Sequence, residues 1–309
     1  MKIATFDIGS NTVLMLAAEV DEQRRPRVLA ELMRITRMGR GVDKNKRLDP
    51  NSAASTLAAL EEFAGKARDL GVERMVAAAT AALRDASDGP EFIARVKERA
   101  GLTLQIIPGS EEAALSHLAV VRGLNIDPAS PLLIVDIGGG STELIRAEPG
   151  KDLAMVSLQI GSVRLTERCV RSDPPSDSDA ASVASTVDSA LDQLGWNYRP
   201  ANLVGIAGTV TTLCAVALGL QTYEAGVVHG HRLPRAEIER VIKLIRSMPL
   251  ADRLKLPGLP EGRADVIFAG ATILERVMKR FSAADVMVSD QGVRWGLMWR
   301  EIDRLYTPE

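Results

Sequence analysis

The chain has 309 residues, 46% of them apolar and 25% charged, with a formal net charge of −2. Those values fit a globular protein of one large or two mid-sized domains, and the near-neutral balance argues against a general nucleic-acid binder. Apolar runs such as 75–79 and 132–135 are too short to span a bilayer, and Lys2 leads straight into a strand pattern rather than a secretory leader.

In chain order, Ile3–Phe6 reads as a short apolar strand closed by Asp7. Gly9-Ser10-Asn11-Thr12 supplies turn residues, and Val13–Val20 reads as the returning strand. A third strand runs from about Val28 to Ile35. Nine cations crowd this region (Arg24, Arg25, Arg27, Arg34, Arg37, Arg40, Lys44, Lys46, Arg47), against Glu31 and Asp43. They are either a solvated face or a local attractor for a polyanion. Asn51 or Ser52 is expected to cap a helix whose apolar positions (Leu57, Leu60, Phe63, Ala64, Ala67, Leu70) keep helical spacing. A strand (Arg74–Ala79), a helix (Gly89–Arg99), a strand (Leu102–Ile106) and a helix (Ser110–Val121) follow.

The order then restarts. Leu132–Val135 is an apolar strand ending at Asp136, followed by Gly138-Gly139-Gly140-Ser141-Thr142, a return at Glu143–Arg146 and a third strand at Leu153–Leu158. Helices are expected at Ser162–Cys169 and Asp177–Leu194, with Ser172–Asp179 a surface turn. A strand at Leu203–Ile206 and helices at Thr209–Ala217, Arg235–Ser247 and Arg263–Phe281 come next. The strand Val286–Val288 leads into a last helix, Gly292–Leu305. FDIGSNT (6–12) and VDIGGGST (135–142) mark a duplication. Two α/β domains are therefore expected, 1–125 and 126–309, with the last helix able to pack back on the first.

A strand that ends in Asp and turns through Gly, Ser and Thr is a good phosphate cradle. Glycines let the backbone approach an anion with its N–H groups, and Ser10, Asn11, Thr12, Ser141 and Thr142 add side-chain donors. Asp7, Asp136 and Glu143 are hard oxygen ligands of the kind Mg²⁺ takes. Glu111 and Glu112 open a helix behind Ser110. There they either complement the helix dipole or activate water, and spacing does not choose between them. Arg84 is either a surface cation or a guanidinium gripping phosphate oxygens. Gly205-Ile206-Ala207-Gly208-Thr209 is a second strand–Gly–helix junction, fit for phosphate, for a nucleotide or only for close packing. Cys169 and Cys214 are too few for a disulfide framework and too far apart for a CxxC site; buried thiols are expected. Three histidines leave little room for a His-based metal centre.

These motifs resemble the exopolyphosphatase/guanosine pentaphosphate phosphatase (Ppx/GppA) family along nearly the whole chain. Besides the two hairpins, the matches are ATAALRDA (79–86), PGSEEA (108–113), GSVRLTE (161–167), GIAGTVTTL (205–213), VVHGH (227–231), RAD (263–265) and VSDQGVRWGLM (288–298). The resemblance implies an α/β protein of two ribonuclease-H-like domains, the actin-like ATPase/sugar kinase/Hsp70 fold, with an interdomain active-site cleft. It implies an Mg²⁺-dependent exopolyphosphatase acting on inorganic polyphosphate, and the cysteine usage fits the cytoplasm. The alternative is a phosphohydrolase of guanosine pentaphosphate (pppGpp) that yields the tetraphosphate. A sensor without turnover, or an ATPase or kinase of the same fold, fits less well.

By the same resemblance Glu112 is similar to the water-activating glutamate, and Arg84 to the arginine of the family's ATxxxR segment. Asp136 and Glu143, with Asp7, look like metal-positioning acids. The phosphate contacts would come from Gly9, Ser10, Asn11, Thr12, Gly138, Gly139, Gly140, Ser141 and Thr142, with Gly208 and Thr209 at the later junction. Ala114 stands where many members have Arg, and the HD-like C-terminal domain of long members has no counterpart here. A short form favouring shorter chains, possible as a homodimer, is the expectation; neither a membrane nor nucleic acid is an expected partner.

Overall fold

The computed structural model describes residues 1–306; Thr307–Glu309, the end of the second domain drawn from sequence, lie outside the described residues. By compactness the chain forms two units. One is Met1–Ala119 together with the chain from Gly292 on, and the other is Val120–Gln291.

The first unit begins with β1 (Lys2–Ile8), β2 (Thr12–Val20), β3 (Pro26–Ile35), α1 (Val42–Asn45), α2 (Pro50–Asp69) and β4 (Arg74–Ala79). It continues with α3 (Ala81–Asp85), α4 (Gly89–Ala100), β5 (Leu104–Ile106) and α5 (Gly109–Gly123). The sheet order is β3-β2-β1-β4-β5, with an antiparallel β1–β3 meander and β4 and β5 parallel to β1. Alternation along β1 and β2 sorts the side chains. Ala4, Phe6, Ile8, Val13, Met15 and Ala17 share a core with Leu57, Leu60 and Phe63 of α2 and Phe92 and Val96 of α4. Each large side chain buried this way contributes roughly 1.5–3 kcal/mol. The cap of α2 is Asp49, not Asn51 or Ser52, because Pro50 fills the first helical position and the Asp49 carboxylate accepts from the Ser52 amide at 2.9 Å.

The second unit holds β6 (Leu132–Ile137), β7 (Thr142–Ala147), β8 (Ala154–Leu158), α6 (Ser162–Cys169), α7 (Asp177–Asp192), β9 (Asn202–Ile206) and α8 (Ala207–Leu218). Then come α9 (Ala225–Val228), β10 (Arg232–Pro234), α10 (Arg235–Arg246), α11 (Leu250–Arg253), α12 (Ile267–Arg280) and β11 (Asp285–Val288). Its sheet runs β10-β11-β9-β6-β7-β8. The run β8-β7-β6-β9-β11 repeats β3-β2-β1-β4-β5, and β10 is an added antiparallel edge. This is the ribonuclease-H-like order, present twice, in an α/β protein with two mixed sheets.

The final helix, α13 (Val293–Tyr306), groups with the first unit. Trp295, Met298 and Ile302 cover Ile3, Leu16, Ala18 and Val20, the face of the first sheet that α2 and α4 leave open. The stretch expected as a surface turn at Ser172–Asp179 ends otherwise. Asp179 is buried in the first turn of α7, completing a capping box with Ser176. Among the described residues no helix is long and apolar enough to cross a membrane, and Cys169 and Cys214 are free, buried thiols.

Candidate functional site

The two hairpin loops are built alike. In the first unit the Gly9 amide donates to the Thr12 carbonyl at 2.9 Å; in the second the Gly138 amide donates to Ser141 at 3.0 Å. The segment after each third strand then draws the loop carbonyls back. The Asn11 carbonyl accepts from the Thr36 and Arg37 amides, and that of Ser10 accepts from Gly39 at 2.7 Å. In the second loop Gly138 accepts from the Ser162 amide at 2.9 Å, and Gly139 from Val163 and Arg164 at 3.0 Å. Gly140 accepts from Arg164 Nε at 2.7 Å. With the carbonyls held inward, no group among the described residues accepts from the amides of Ser10, Asn11, Gly139 or Gly140. Such a run of amides is an anion-binding concavity.

Gly161 makes the second loop possible. A Cβ there would fall 2.3 Å from the Gly139 carbonyl oxygen and 2.5 Å from the Gly140 carbonyl carbon. Gly161, Arg164 and Ser162 were not singled out from sequence as site residues, although the GSVRLTE motif contains all three.

Several expected donors are engaged elsewhere. The Thr142 hydroxyl is buried and donates to the Ile160 carbonyl at 2.5 Å; the Thr209 hydroxyl donates to Ile137 at 3.0 Å. Both bonds hold the second hairpin in place. The Arg263 guanidinium lies against Gly208: a Cβ at 208 would sit 1.7 Å from Nη1. Burial pulls Arg263 below the usual guanidinium range, and Tyr223 opposes that shift. Ser10, Asn11, Thr12 and Ser141 are half-buried and their side chains make no hydrogen bond among the described residues.

Asp136 and Glu143 stand directly opposite one another in the β6–β7 ladder, so their carboxylates share one face of the sheet. Glu143 also accepts from the Ser157 hydroxyl at 2.6 Å. Two adjacent carboxylates repel unless a cation or proton intervenes. Among the described residues no group of three or more metal-type ligands occurs. Paired carboxylates are ligands of the type that hard cations take, one or two at a time, with water and phosphate oxygens. Asp7 holds the corresponding place in the first hairpin, but Leu14 faces it. Loss of water pushes the Asp7 carboxyl up to about 6, with Arg294 pulling the other way.

Glu111 and Glu112 both lie in the first turn of α5. Arg300 of α13 donates to Glu111 at 2.5 Å, so Glu111 fastens α5 to α13. Arg84 lies in the last turn of α3 and donates to the Ile107 carbonyl at 3.1 Å, which places it beside the Pro108–Gly109 entry to α5.

A profile of the Ppx/GppA phosphatase family matches residues 16–305. Exopolyphosphatase 2 of Mycobacterium tuberculosis is 34% identical over 290 residues, covering 90% of each protein. Guanosine-5'-triphosphate,3'-diphosphate pyrophosphatase of Vibrio cholerae is 27% identical over 98% of this chain and 59% of its own length. The crystal structure of the Aquifex aeolicus Ppx/GppA family member superposes with a TM-score of 0.86 at 31% identity, over 100% of this chain and 99% of that one.

Proposed function

Because the chain belongs to the Ppx/GppA phosphatase family, we propose that it is an exopolyphosphatase, releasing orthophosphate from the end of inorganic polyphosphate. The observation that carries this is the Asp136–Glu143 carboxylate pair beside a glycine hairpin whose carbonyls are all turned away. The outward amides of each loop are donors of the kind that take phosphate oxygens. Asp136 and Glu143 would hold Mg²⁺, whose charge would offset that of the bound phosphates. Asp7 is the weaker candidate ligand, since Leu14 faces it.

Glu112 accepts a proton from the attacking water as its oxygen bonds to the terminal phosphorus. The phosphoanhydride P–O bond breaks, and the shortened chain leaves with the bridging oxygen. Arg84 supplies a guanidinium to the phosphate oxygens. A general base is worth roughly 10²–10⁴-fold in rate, so Glu112→Gln removes most turnover while binding and fold persist. Wild-type turnover in that variant would remove the assignment.

The Vibrio cholerae relative favours a second substrate, pppGpp, which also ends in a phosphoanhydride. Phosphate release measured in parallel on polyphosphate, pppGpp and ATP, with Mg²⁺ and with chelator, decides between them. Release only from pppGpp would replace the first proposal. Free buried thiols at Cys169 and Cys214 fit a reducing cytoplasmic setting.

A further inference from the structure

The nine cations between Arg24 and Arg47 are not equivalent once the chain folds. Arg25 pairs with Asp21, Arg27 with Glu19, Arg34 with Glu62 and Arg47 with Asp88. These four belong to local ion pairs. Arg37, Arg40 and Lys46 are exposed, and among the described residues none has a carboxylate at ion-pair distance. Arg40 lies near enough to Asp49 to help lower its pKa, but that carboxylate's main partner is Ser52 at the cap of α2.

These three cations sit on a strip that is anchored at both ends. At one end it backs the first phosphate loop. Thr36 and Arg37 donate to the Asn11 carbonyl, and Gly39 approaches Ser10 so closely that a Cβ would lie 2.9 Å from the serine Cβ. At the other end the Lys46 carbonyl accepts from the Ser87 amide and hydroxyl at 2.8 and 2.9 Å, and the Leu48 amide donates to Asp88 at 3.0 Å. Asp88 follows closely on α3, which carries Arg84. The strip therefore runs between two parts of the first unit already assigned to phosphate. Arg37 and Lys46 each hold φ at 53°, a left-handed conformation in which long side chains are uncommon.

We infer that Arg37, Arg40 and Lys46 bind the phosphates that lie beyond the cleaved end of the chain. The inference rests on the exopolyphosphatase proposal and adds a chain-length dependence to it. A cation about 6 Å from a phosphate charge in water changes affinity roughly threefold. Affinity thus climbs over the first few phosphates that reach the strip and levels off once they have passed it. The gain fades at high salt, where the Debye length shrinks to about 3 Å at 1 M.

The test compares wild type with the Arg37→Gln/Arg40→Gln double variant and with Arg27→Gln, which removes a paired cation from the same region. KM is measured for tripolyphosphate, for intermediate chains and for long-chain polyphosphate, at low and high salt. The double variant should raise KM about tenfold for intermediate and long chains at low salt, much less for tripolyphosphate, with Arg27→Gln unchanged at every length. Arg37→Lys/Arg40→Lys should restore the length dependence. An equal rise at all lengths, no rise, or the same rise in Arg27→Gln would overturn the inference. If wild type releases no phosphate from polyphosphate, the exopolyphosphatase proposal falls instead. Direct binding of uncleaved polyphosphate to the same variants then still decides whether the strip holds it.

Discussion

Replacing Gly161 by Ala tests whether the second loop's shape, and not only its composition, produces activity. Gly161 has φ −132° and ψ 164°, a conformation open to any residue, so the substitution strains packing and not the backbone. The new Cβ would start 2.3 Å from the Gly139 oxygen, 2.4 Å from its carbon and 2.5 Å from the Gly140 carbon. Relief to ordinary contact needs a shift of about 1 Å, since interiors are close-packed and offer no slack. The neighbours are backbone atoms of the phosphate loop itself. The shift therefore stretches the bonds from Ser162, Val163 and Arg164, now 2.9–3.0 Å long. At roughly 1 kcal/mol for each hydrogen bond, stability falls by about 3 kcal/mol at most. A 1 Å misplacement of a positioning group costs up to about 10²-fold in rate. Steady-state phosphate release and thermal unfolding measure the two effects separately. Gly65→Ala, where a Cβ meets nothing within 4 Å, is the control. Full kcat/KM in a folded Gly161→Ala protein would refute the link between loop position and catalysis.

Other outcomes follow from the same geometry. Glu143→Gln breaks the carboxylate pair, so the Mg²⁺ concentration for half-maximal activity should rise at least about tenfold; an unmoved midpoint would detach the pair from the metal. Asp7 is raised in the folded protein from 3.8 to about 6, so between those values the folded state holds the extra proton and stability falls as pH rises. With metal chelated, Asp7→Asn should flatten that slope and add as much as about 3 kcal/mol above pH 6, which unfolding midpoints across the window would reveal. Asp179 accepts from the Ser172 hydroxyl at 2.6 Å and from the Ser176 and Arg171 amides at 3.0 and 3.2 Å, and those bonds hold its pKa far below the usual range. Asp179→Ala should lower stability by about 3 kcal/mol and leave KM alone; a changed KM with unchanged stability would contradict the capping role.

The duplicated hairpins were legible because Asp, Gly and short polar residues have few alternative uses at a strand end. The Asp136–Glu143 juxtaposition was foreseeable as well, since a tight turn fixes which residues face each other. The pairing of Glu111 with Arg300 was not, because the two lie 189 positions apart. The carbonyl partners of Thr142 and Thr209 were hidden for a related reason: a hydroxyl beside a glycine loop serves a ligand or a backbone carbonyl equally well, and only the fold shows which carbonyl is near. The approach of Arg263 to Gly208 was equally hidden, since 55 positions separate them. Short helices such as α1, α3, α9 and α11 have four or five residues and show no periodicity to read. The return of α13 to the first sheet was open because its apolar stripe suits any uncovered sheet face.

One position distinguishes the two hairpins more than any other: Leu14 faces Asp7 where Glu143 faces Asp136. Identical halves would carry either two such carboxylate pairs or none. Duplication into one chain lifts that constraint, because each copy can then change alone. A leucine in one copy and a glutamate in the other is enough to turn a symmetric scaffold into one with a direction. One hairpin keeps a carboxylate pair, and the other sets a leucine opposite its single carboxylate.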